Sequence, residues 1–269
     1  MSKVLGLCLG AVLAFAIACS DSANPILPAR EEFRYPLTTG TTWTYSRHVV
    51  STFSNTNTLP DSTHFTVKVS VVGKETIFDS VTTIKLREQI KGSTSSATHY
   101  HFYEHEGAIL YLRASLGTAV VLPKHSSALP SPPSRSFLLL SSWGAHTPKP
   151  DSLFRHIPAK VVLHYPLTPD REWKYSEKGK PRRANKRVIG ETQVSTPAGT
   201  FDVVQVQWHL DFDGDGDFDD FVEFYDYIAA EGLVKRSFLV KNLPLVDDSG
   251  TFIGTYNYLD NSELVTLTR

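Results

Sequence analysis

Apolar and polar residues alternate one for one along several stretches of this chain. A period of two suits only an extended strand with one buried face, because successive strand side chains point to opposite sides. In Phe65-Thr66-Val67-Lys68-Val69-Ser70-Val71 the apolar set is every second residue. Val204, Val206, Trp208, Leu210 and Phe212 repeat the pattern against Gln205, Gln207, His209 and Asp211. Such alternation predicts antiparallel sheets with one wet face. Thr196-Pro197-Ala198-Gly199-Thr200 separates two such runs and reads as a hairpin, with Gly199 supplying the positive φ. No stretch sustains a 3.6-residue apolar period, so helix should be minor. The expected class is all-β, with antiparallel curved sheets.

Two segments of the chain look alike. Tyr35-Pro36-Leu37-Thr38 followed by Trp43-Thr44-Tyr45 matches Tyr165-Pro166-Leu167-Thr168 followed by Trp173-Lys174-Tyr175. Val72-Gly73-Lys74-Glu75-Thr76 resembles Ile189-Gly190-Glu191-Thr192, Phe102-Tyr103-Glu104 resembles Phe224-Tyr225-Asp226, and Glu106-Gly107 resembles Glu231-Gly232. The order is kept, which predicts two related tandem units, 34–123 and 159–269. The alternative is one β domain with similar strand openings. Between them, 124–158 is rich in proline, which opposes ladder pairing and reads as connector.

The start of the chain reads as a secretory leader, 1–18: Lys3, the apolar stretch Leu5–Ala18, then a small-residue junction. That stretch is shorter than the roughly 20 apolar residues a spanning helix needs. Ala16-Ile17-Ala18-Cys19 resembles a bacterial lipobox, with Ala16 where Leu is usual. The resemblance implies that Cys19 is lipidated, by palmitate-type chains, and becomes the first mature residue. The alternative is ordinary cleavage that leaves a free thiol. No cysteine follows Cys19, and an oxidising compartment favours paired cysteines or none. Several acyl chains anchor stably, at about 0.8 kcal/mol per buried CH₂. Residues 19–33 then read as a polar tether.

The Tyr-Pro-Leu…Trp-x-Tyr opening, Thr196-Pro197-Ala198-Gly199-Thr200-Phe201 and Glu231-Gly232-Leu233-Val234-Lys235-Arg236 together resemble a loose group of uncharacterised bacterial envelope lipoproteins. The resemblance covers most of the mature chain. It implies a curved-sheet, periplasmic-type fold and no known activity.

Two clusters could carry chemistry. Asp211, Asp213 and Asp215, then Gly216, Asp217 and Asp219, match the first nine places of a Ca²⁺ loop. Alternate carboxylates supply the oxygens, Asp217 its backbone carbonyl. Position 12 is Val222, so Glu223 or water would complete the shell of a structural calcium ion. The alternative is a solvated acidic turn. Secondly, His99, His101 and His105 share one strand face with Tyr103, and His-x-His can give Zn²⁺ two ligands. The third ligand is not evident, and the plainer reading is a half-exposed polar strand face. The basic run Lys178–Arg187 reads as a solvated hairpin loop, or as a contact for anionic headgroups.

Formal net charge is −1, which gives no basic excess for nucleic acid. No Gly-x-Ser-x-Gly elbow, P-loop or dinucleotide fingerprint occurs. The expected protein is a non-enzymatic envelope lipoprotein, held to the membrane by its lipid anchor, periplasmic or on the outer surface. It would bind or scaffold an envelope protein. Alternatives are a carrier of an apolar ligand and a hydrolase with a dispersed site.

Overall fold

The computed structural model describes residues 34–54, 60–92, 96–117, 153–176, 183–211, 215–246 and 251–269. The leader, Cys19 and the tether lie outside the described residues. Twelve strands form one antiparallel sheet: β1 (Thr42–Phe53), β2 (Asp61–Ile77), β3 (Val81–Lys91), β4 (Ser96–Glu106), β5 (Ile109–Gly117), β6 (Leu153–His164), β7 (Glu172–Ser176), β8 (Arg183–Thr196), β9 (Gly199–Asp211), β10 (Val222–Ala229), β11 (Gly232–Val246) and β12 (Phe252–Thr268). No helix occurs among the described residues. The all-β antiparallel expectation holds.

The strand order is β6-β5-β4-β3-β2-β1-β12-β11-β10-β9-β8-β7. Two six-stranded meanders are therefore joined at a central β1–β12 seam. The two outer strands, β6 and β7, are consecutive in the chain, and the sheet curls until they approach. Trp173 Nε1–H on β7 donates to the Val161 carbonyl on β6 at 3.1 Å, and Lys186 Nζ on β8 reaches the Val162 carbonyl at 3.0 Å. The result is a nearly closed, barrel-like sheet. Curling of this kind shields edge strands whose open N–H and C=O groups would otherwise recruit other chains.

The alternating runs do what period two demands. Val67, Val69 and Val71 are buried, as are Val204, Val206, Trp208 and Leu210. Together with Trp43, Tyr45, Leu86, Tyr103, Leu112 and Phe224 they belong to one core that draws on both meanders. Its aromatic part runs strand to strand. Tyr175 meets Trp208 edge-on at 4.7 Å, Trp208 stacks on Phe224 at 4.7 Å, and Phe224 meets Phe238 edge-on at 5.3 Å. Such geometries add about 0.5–1.5 kcal/mol per pair beyond area burial.

Bulges fall at matching places in the two meanders. The β2–β3 register shifts between Val71 and Gly73, the β8–β9 register between Val188 and Gly190. The β4–β5 register shifts between Phe102 and Tyr103, the β10–β11 register between Tyr227 and Ile228. A bulge bends its strand. Beyond the first pair of bulges, each hairpin end joins a small second cluster. Ile77, Phe102 and Ala114 form one, packed by Phe78 and Val81. Val203, Ala229 and Val234 form the other, packed by Val194 and Phe201. The bulges also alter one sequence match. Phe102-Tyr103 sits at the place of Tyr227-Ile228, not of Phe224-Tyr225.

The repeated opening motif has a visible task in its first copy. Trp43 Nε1–H donates to the Glu231 carbonyl at 2.6 Å, and Tyr45 O–H to the Leu233 carbonyl at 2.8 Å. These bonds flank Gly232 at the β10–β11 turn. Gly232 has φ +107°, and a Cβ there would lie 3.0 Å from Trp43 Nε1 and 3.3 Å from the Tyr35 ring. Only glycine accepts both the backbone angle and the close ring. The connector reading also changes at its end, since β6 takes up Leu153–Pro158.

Candidate functional site

Charged side chains interrupt the apolar rows of the inner face. Arg47 follows Trp43 and Tyr45 in the β1 row, and its Nε and Nη2 both bond the Asp260 carboxylate, at 2.9 and 2.6 Å. Asp226 follows Phe224 on β10. Its Oδ1 accepts from Arg236 Nε at 2.7 Å and its Oδ2 from Trp208 Nε1 at 2.8 Å, with Lys186 Nζ 3.7 Å away. Burial alone would raise the Asp226 pKa, but Arg236 and then Lys186 outweigh it and hold it below the usual value. Lys186 is fully buried, its ammonium 3.7 Å from the Trp208 ring centre. Burial brings its pKa down to about 7 against the pull of Asp226. The solvated-loop reading of Lys178–Arg187 therefore fails where the run is described, because residues 183–187 belong to β8.

The other meander carries a different inner surface at the same positions. Register defines the correspondence. Leu86 lies opposite His101 and Glu88 opposite His99 on β3–β4, as Val206 lies opposite Asp226 and Trp208 opposite Phe224 on β9–β10. His101 lies opposite Ser115 on β4–β5, as Asp226 lies opposite Arg236 on β10–β11. Where one half places Trp208, Phe224, Asp226 and Arg236, the other places Glu88, His99, His101 and Ser115.

Four strands build this second cluster. Glu88 on β3 brings Oε2 to 3.5 Å from His101 Nε2 on β4. His101 Nδ1 lies 3.3 Å from Ser115 Oγ on β5, and Ser115 Oγ 3.1 Å from His156 Nε2 on β6. Lys160, further along β6, is buried as well. Burial pushes Glu88 up to about 8, partly offset by His99, Arg47 and Arg236. Burial, reinforced by Lys160, pushes His101 down to about 4. His156 falls to about 3 by burial, with Lys160 and His101 adding. Near neutral pH the Glu88–His101 contact is therefore between neutral groups rather than an ion pair. Both Glu88 carboxyl oxygens, His99 Nε2 and His101 Nε2 are buried without a hydrogen-bond partner. Each such atom costs roughly 1–3 kcal/mol unless water or a ligand meets it.

The expected histidine site thus changes. His99 and His101 are buried, at 8 % and 4 % exposure, not half-exposed. His105 is separated from them by the Phe102/Tyr103 bulge and faces the Tyr165 ring at 6.3 Å. Glu88 is the partner that sequence reading missed. Its signal was present: Ile84, Leu86, Glu88 and Ile90 form one alternating row with a carboxylate inside it.

The acidic loop is only partly described, because Asp213 lies outside the described residues. Asp211 is buried at the end of β9. Asp215 Oδ1 accepts the Asp217 N–H at 2.8 Å, closing an Asx turn. Asp219 N–H bonds the Leu210 carbonyl at 2.8 Å. Arg183 donates to the Gly216 carbonyl, covers the Phe218 ring at 4.1 Å and comes within 4.0 Å of the Asp211 carboxylate. A cationic side chain therefore already stands at this loop. Among the described residues, no three His, Cys, Asp or Glu side chains form a group that could hold a metal ion.

These features define a class: an antiparallel, nearly closed β-sheet protein with a polar cluster on its inner face. No protein-family model matches the chain, and no curated protein matches it. Loose likenesses exist among solved structures. One is described as an exported protein with a YmcC-like fold from Bacteroides fragilis, at 11% identity over 88% of this chain and 100% of that one, TM-score 0.34. A second, described as a lipoprotein from Parabacteroides distasonis, has 12% identity over 88% and 99%, TM-score 0.31. A third, described as an outer membrane lipoprotein-sorting protein domain from Vibrio parahaemolyticus, has 7% identity over 85% of each chain, TM-score 0.22.

Proposed function

We propose that this is a lipid-anchored envelope protein that binds a small polar ligand on the inner face of its sheet. The observation that carries the binding role is the set of buried, unpartnered atoms on Glu88, His99 and His101. At the equivalent positions of the other meander, Asp226 accepts from both Arg236 and Trp208. The matching bulges and hairpin clusters support an internal duplication in which one copy keeps a structural ion pair and the other an open site. An apolar ligand suits the interior less well, because the aromatic rings of the second meander pack on each other. Cys19 supplies the anchor in this reading.

Mass spectrometry of the protein extracted from membranes tests both parts. An acylated Cys19 is expected, together with a small adduct under native conditions that is absent from Glu88→Gln. An unmodified Cys19 thiol refutes the anchor, and native masses for wild type and Glu88→Gln that differ only by the substitution itself refute the binding site. A hydrolase is the second reading, favoured by the succession of acid, imidazole and hydroxyl in Glu88, His101 and Ser115. Labelling of Ser115 by a fluorophosphonate, abolished in His101→Ala, would decide for it.

The acidic loop belongs to the same proposal as a structural Ca²⁺ site, supported by the alternate carboxylates around Gly216. Arg183 competes for that role. Extracellular modules bind Ca²⁺ at roughly 10⁻⁴–10⁻³ M. Calorimetry should give heat at millimolar Ca²⁺ that Asp215→Asn removes, and no heat in wild type leaves the loop to Arg183.

A further inference from the structure

We propose that Glu88 and His101, with His99 beside them, hold the carboxylate of a small organic acid on the inner face of β3 and β4. This rests on the reading of that cluster as a ligand site and names what fills it. Charge, hydrogen-bond donors and position each point to an anion.

Charge decides against a cation. Among the described residues, the buried charged side chains of the inner face are Arg47, Lys160, Lys186 and Arg236 against Glu88, Asp226 and Asp260. Asp260 and Asp226 each take up one arginine. Arg47 and Arg236 both act on Glu88, and Lys160 acts on His101 and His156. Glu88 keeps its proton up to about pH 8, whereas burial brings Lys160 down only to about 8. Near neutral pH the face therefore carries a positive excess on the order of one charge. A buried excess of one sign favours a ligand of the other.

The donors fit the same ligand. Both Glu88 oxygens, His99 Nε2 and His101 Nε2 are buried without a hydrogen-bond partner. A protonated carboxyl donates its O–H, and a neutral imidazole donates from one nitrogen. Ser115 Oγ stands between His101 Nδ1 and His156 Nε2, at 3.3 and 3.1 Å. When His156 Nε2–H donates to Ser115 and Ser115 O–H donates to His101 Nδ1, the His101 proton sits on Nε2, facing Glu88. The bound anion selects that direction. His101 Nε2 and Glu88 Oε2 are 3.5 Å apart, close enough to share one acceptor oxygen at about 2.8 Å from each. His99, opposite Glu88 across the ladder, offers a donor to the second oxygen. A carboxylate suits the site better than phosphate, because its single charge matches the excess and two carboxyl groups held close share one proton.

Position supplies the route. Glu88 lies three residues before the end of β3, His99 three after the start of β4, Ser115 two before the end of β5 and His156 three after the start of β6. Register puts these strand ends together, so the whole cluster lies within about 10 Å of one end of the sheet. Aromatic side chains tie across the other end. Tyr35 N–H donates to Tyr165 Oη at 2.9 Å, Leu233 N–H donates to Tyr35 Oη at 3.3 Å, and Trp43 packs on Gly232. A small acid enters from the end nearer the cluster.

Propionate, propionamide and propylamine are the probes, titrated against full-length detergent-extracted protein by ligand-observed NMR. Near neutral pH propionate should bind, and its neutral and cationic analogues should not. Because the complex keeps the Glu88 proton, affinity should fall about 10-fold per pH unit above about pH 8. The groups facing Glu88 are His99 and His101 on β4, Arg47 and Tyr45 on β1 and Arg236 on β11. Over that range the histidines stay neutral, the arginines stay charged and Tyr45 keeps its proton. Lys160 loses its charge there. Glu88→Gln should weaken propionate about 10-fold near neutral pH and leave only the shallower pH dependence that Lys160 contributes. His105→Ala, outside the cluster, should change nothing. Propionamide or propylamine binding in place of propionate overturns the anion and leaves the binding site, as does a native adduct lost in Glu88→Gln that carries no acidic group. Inorganic phosphate that displaces propionate at a lower concentration than propionate itself requires overturns the carboxylate. Propionate affinity unchanged in both Glu88→Gln and His101→Ala overturns the placement. No probe bound and no native adduct removes site and ligand together.

Discussion

Asp226→Asn is the sharpest probe of the inner face. Asp226 is fully buried and accepts two hydrogen bonds, from Arg236 on one oxygen and from Trp208 on the other. Asparagine has the same shape but a single oxygen. Whichever way its amide is turned, an NH₂ group meets either the Arg236 or the Trp208 N–H. The substitution also removes the carboxylate that stands 3.7 Å from Lys186 Nζ. One lost charge-assisted bond is worth about 1.5–3 kcal/mol, and leaving a buried charge without its partner about 3–5 kcal/mol. These overlap, so a net loss of about 3–5 kcal/mol is expected. For a body of this size that is a fall in Tm of roughly 6–20 °C. Urea unfolding followed by tryptophan fluorescence and far-UV circular dichroism measures it. The loss should hardly change with salt, because screening acts weakly on buried charges. A double variant, Asp226→Asn with Lys186→Met, should recover part of it by removing a buried amine that has lost its carboxylate. A loss below about 1 kcal/mol in the single variant, or a double variant less stable than it, would refute the idea that Asp226 holds these cations in place.

Other substitutions test separate pieces. Gly232→Ala should cost more than about 1 kcal/mol, since it combines a strained φ with contact on Trp43 and Tyr35; thermal melts showing no change would place the turn elsewhere. Trp43→Phe removes the bond to the Glu231 carbonyl and leaves that oxygen unmet, so a loss on the order of 1–2 kcal/mol is expected in the same assay. Lys186 makes a prediction about pH. Its folded pKa, about 7, lies below the unfolded value of 10.5, so between them the unfolded chain binds more protons. This contribution is complete above the unfolded value and is lost as pH falls through the folded one. The charged and titratable groups facing it are Asp226, Arg236 and Tyr175. Stability of wild type relative to Lys186→Met should therefore rise between about pH 7 and pH 9.5, below the range where buried tyrosines dominate. A flat difference across that window counts against a neutralised lysine.

Period two gave the strands, and the Thr196–Thr200 hairpin falls where Gly199 put it, with Thr196 opposite Gly199 and φ +134°. Strand order was not legible, because it depends on which strands meet across the seam rather than on any local pattern. The functional cluster was half legible. His99 and His101 were visible as a His-x-His pair, whereas Glu88 sat in a row of Ile84, Leu86 and Ile90 without drawing attention. Arg47, Lys186, Asp226 and Arg236 belong to the same kind of row. A charge inside an apolar alternation is thus the sequence mark of this interior. It went unread because lysine, arginine and glutamate ordinarily signal a wet face. Exposure was misjudged for the histidines for the same reason: both faces of β4 are covered, the inner by the core and the outer by the Ile77–Phe102–Ala114 cluster.

The β1–β12 seam bears on how the chain reaches this state. Thr42 lies opposite Thr268 and Phe53 opposite Tyr256. Every other neighbouring pair in the order joins strands consecutive in sequence, whereas the seam must close nearly the whole chain into a ring. Closing so long a loop is entropically uphill before its contacts reward it. Each meander can zip up alone, but each then has an open β1 or β12 edge, the kind that invites sticking to another copy. A circular permutant that links β12 to β1 and begins between β6 and β7 would turn the slowest encounter into the fastest, since every neighbouring pair is then consecutive in the chain. Refolding of that permutant should outpace the natural order, with less material lost to aggregates.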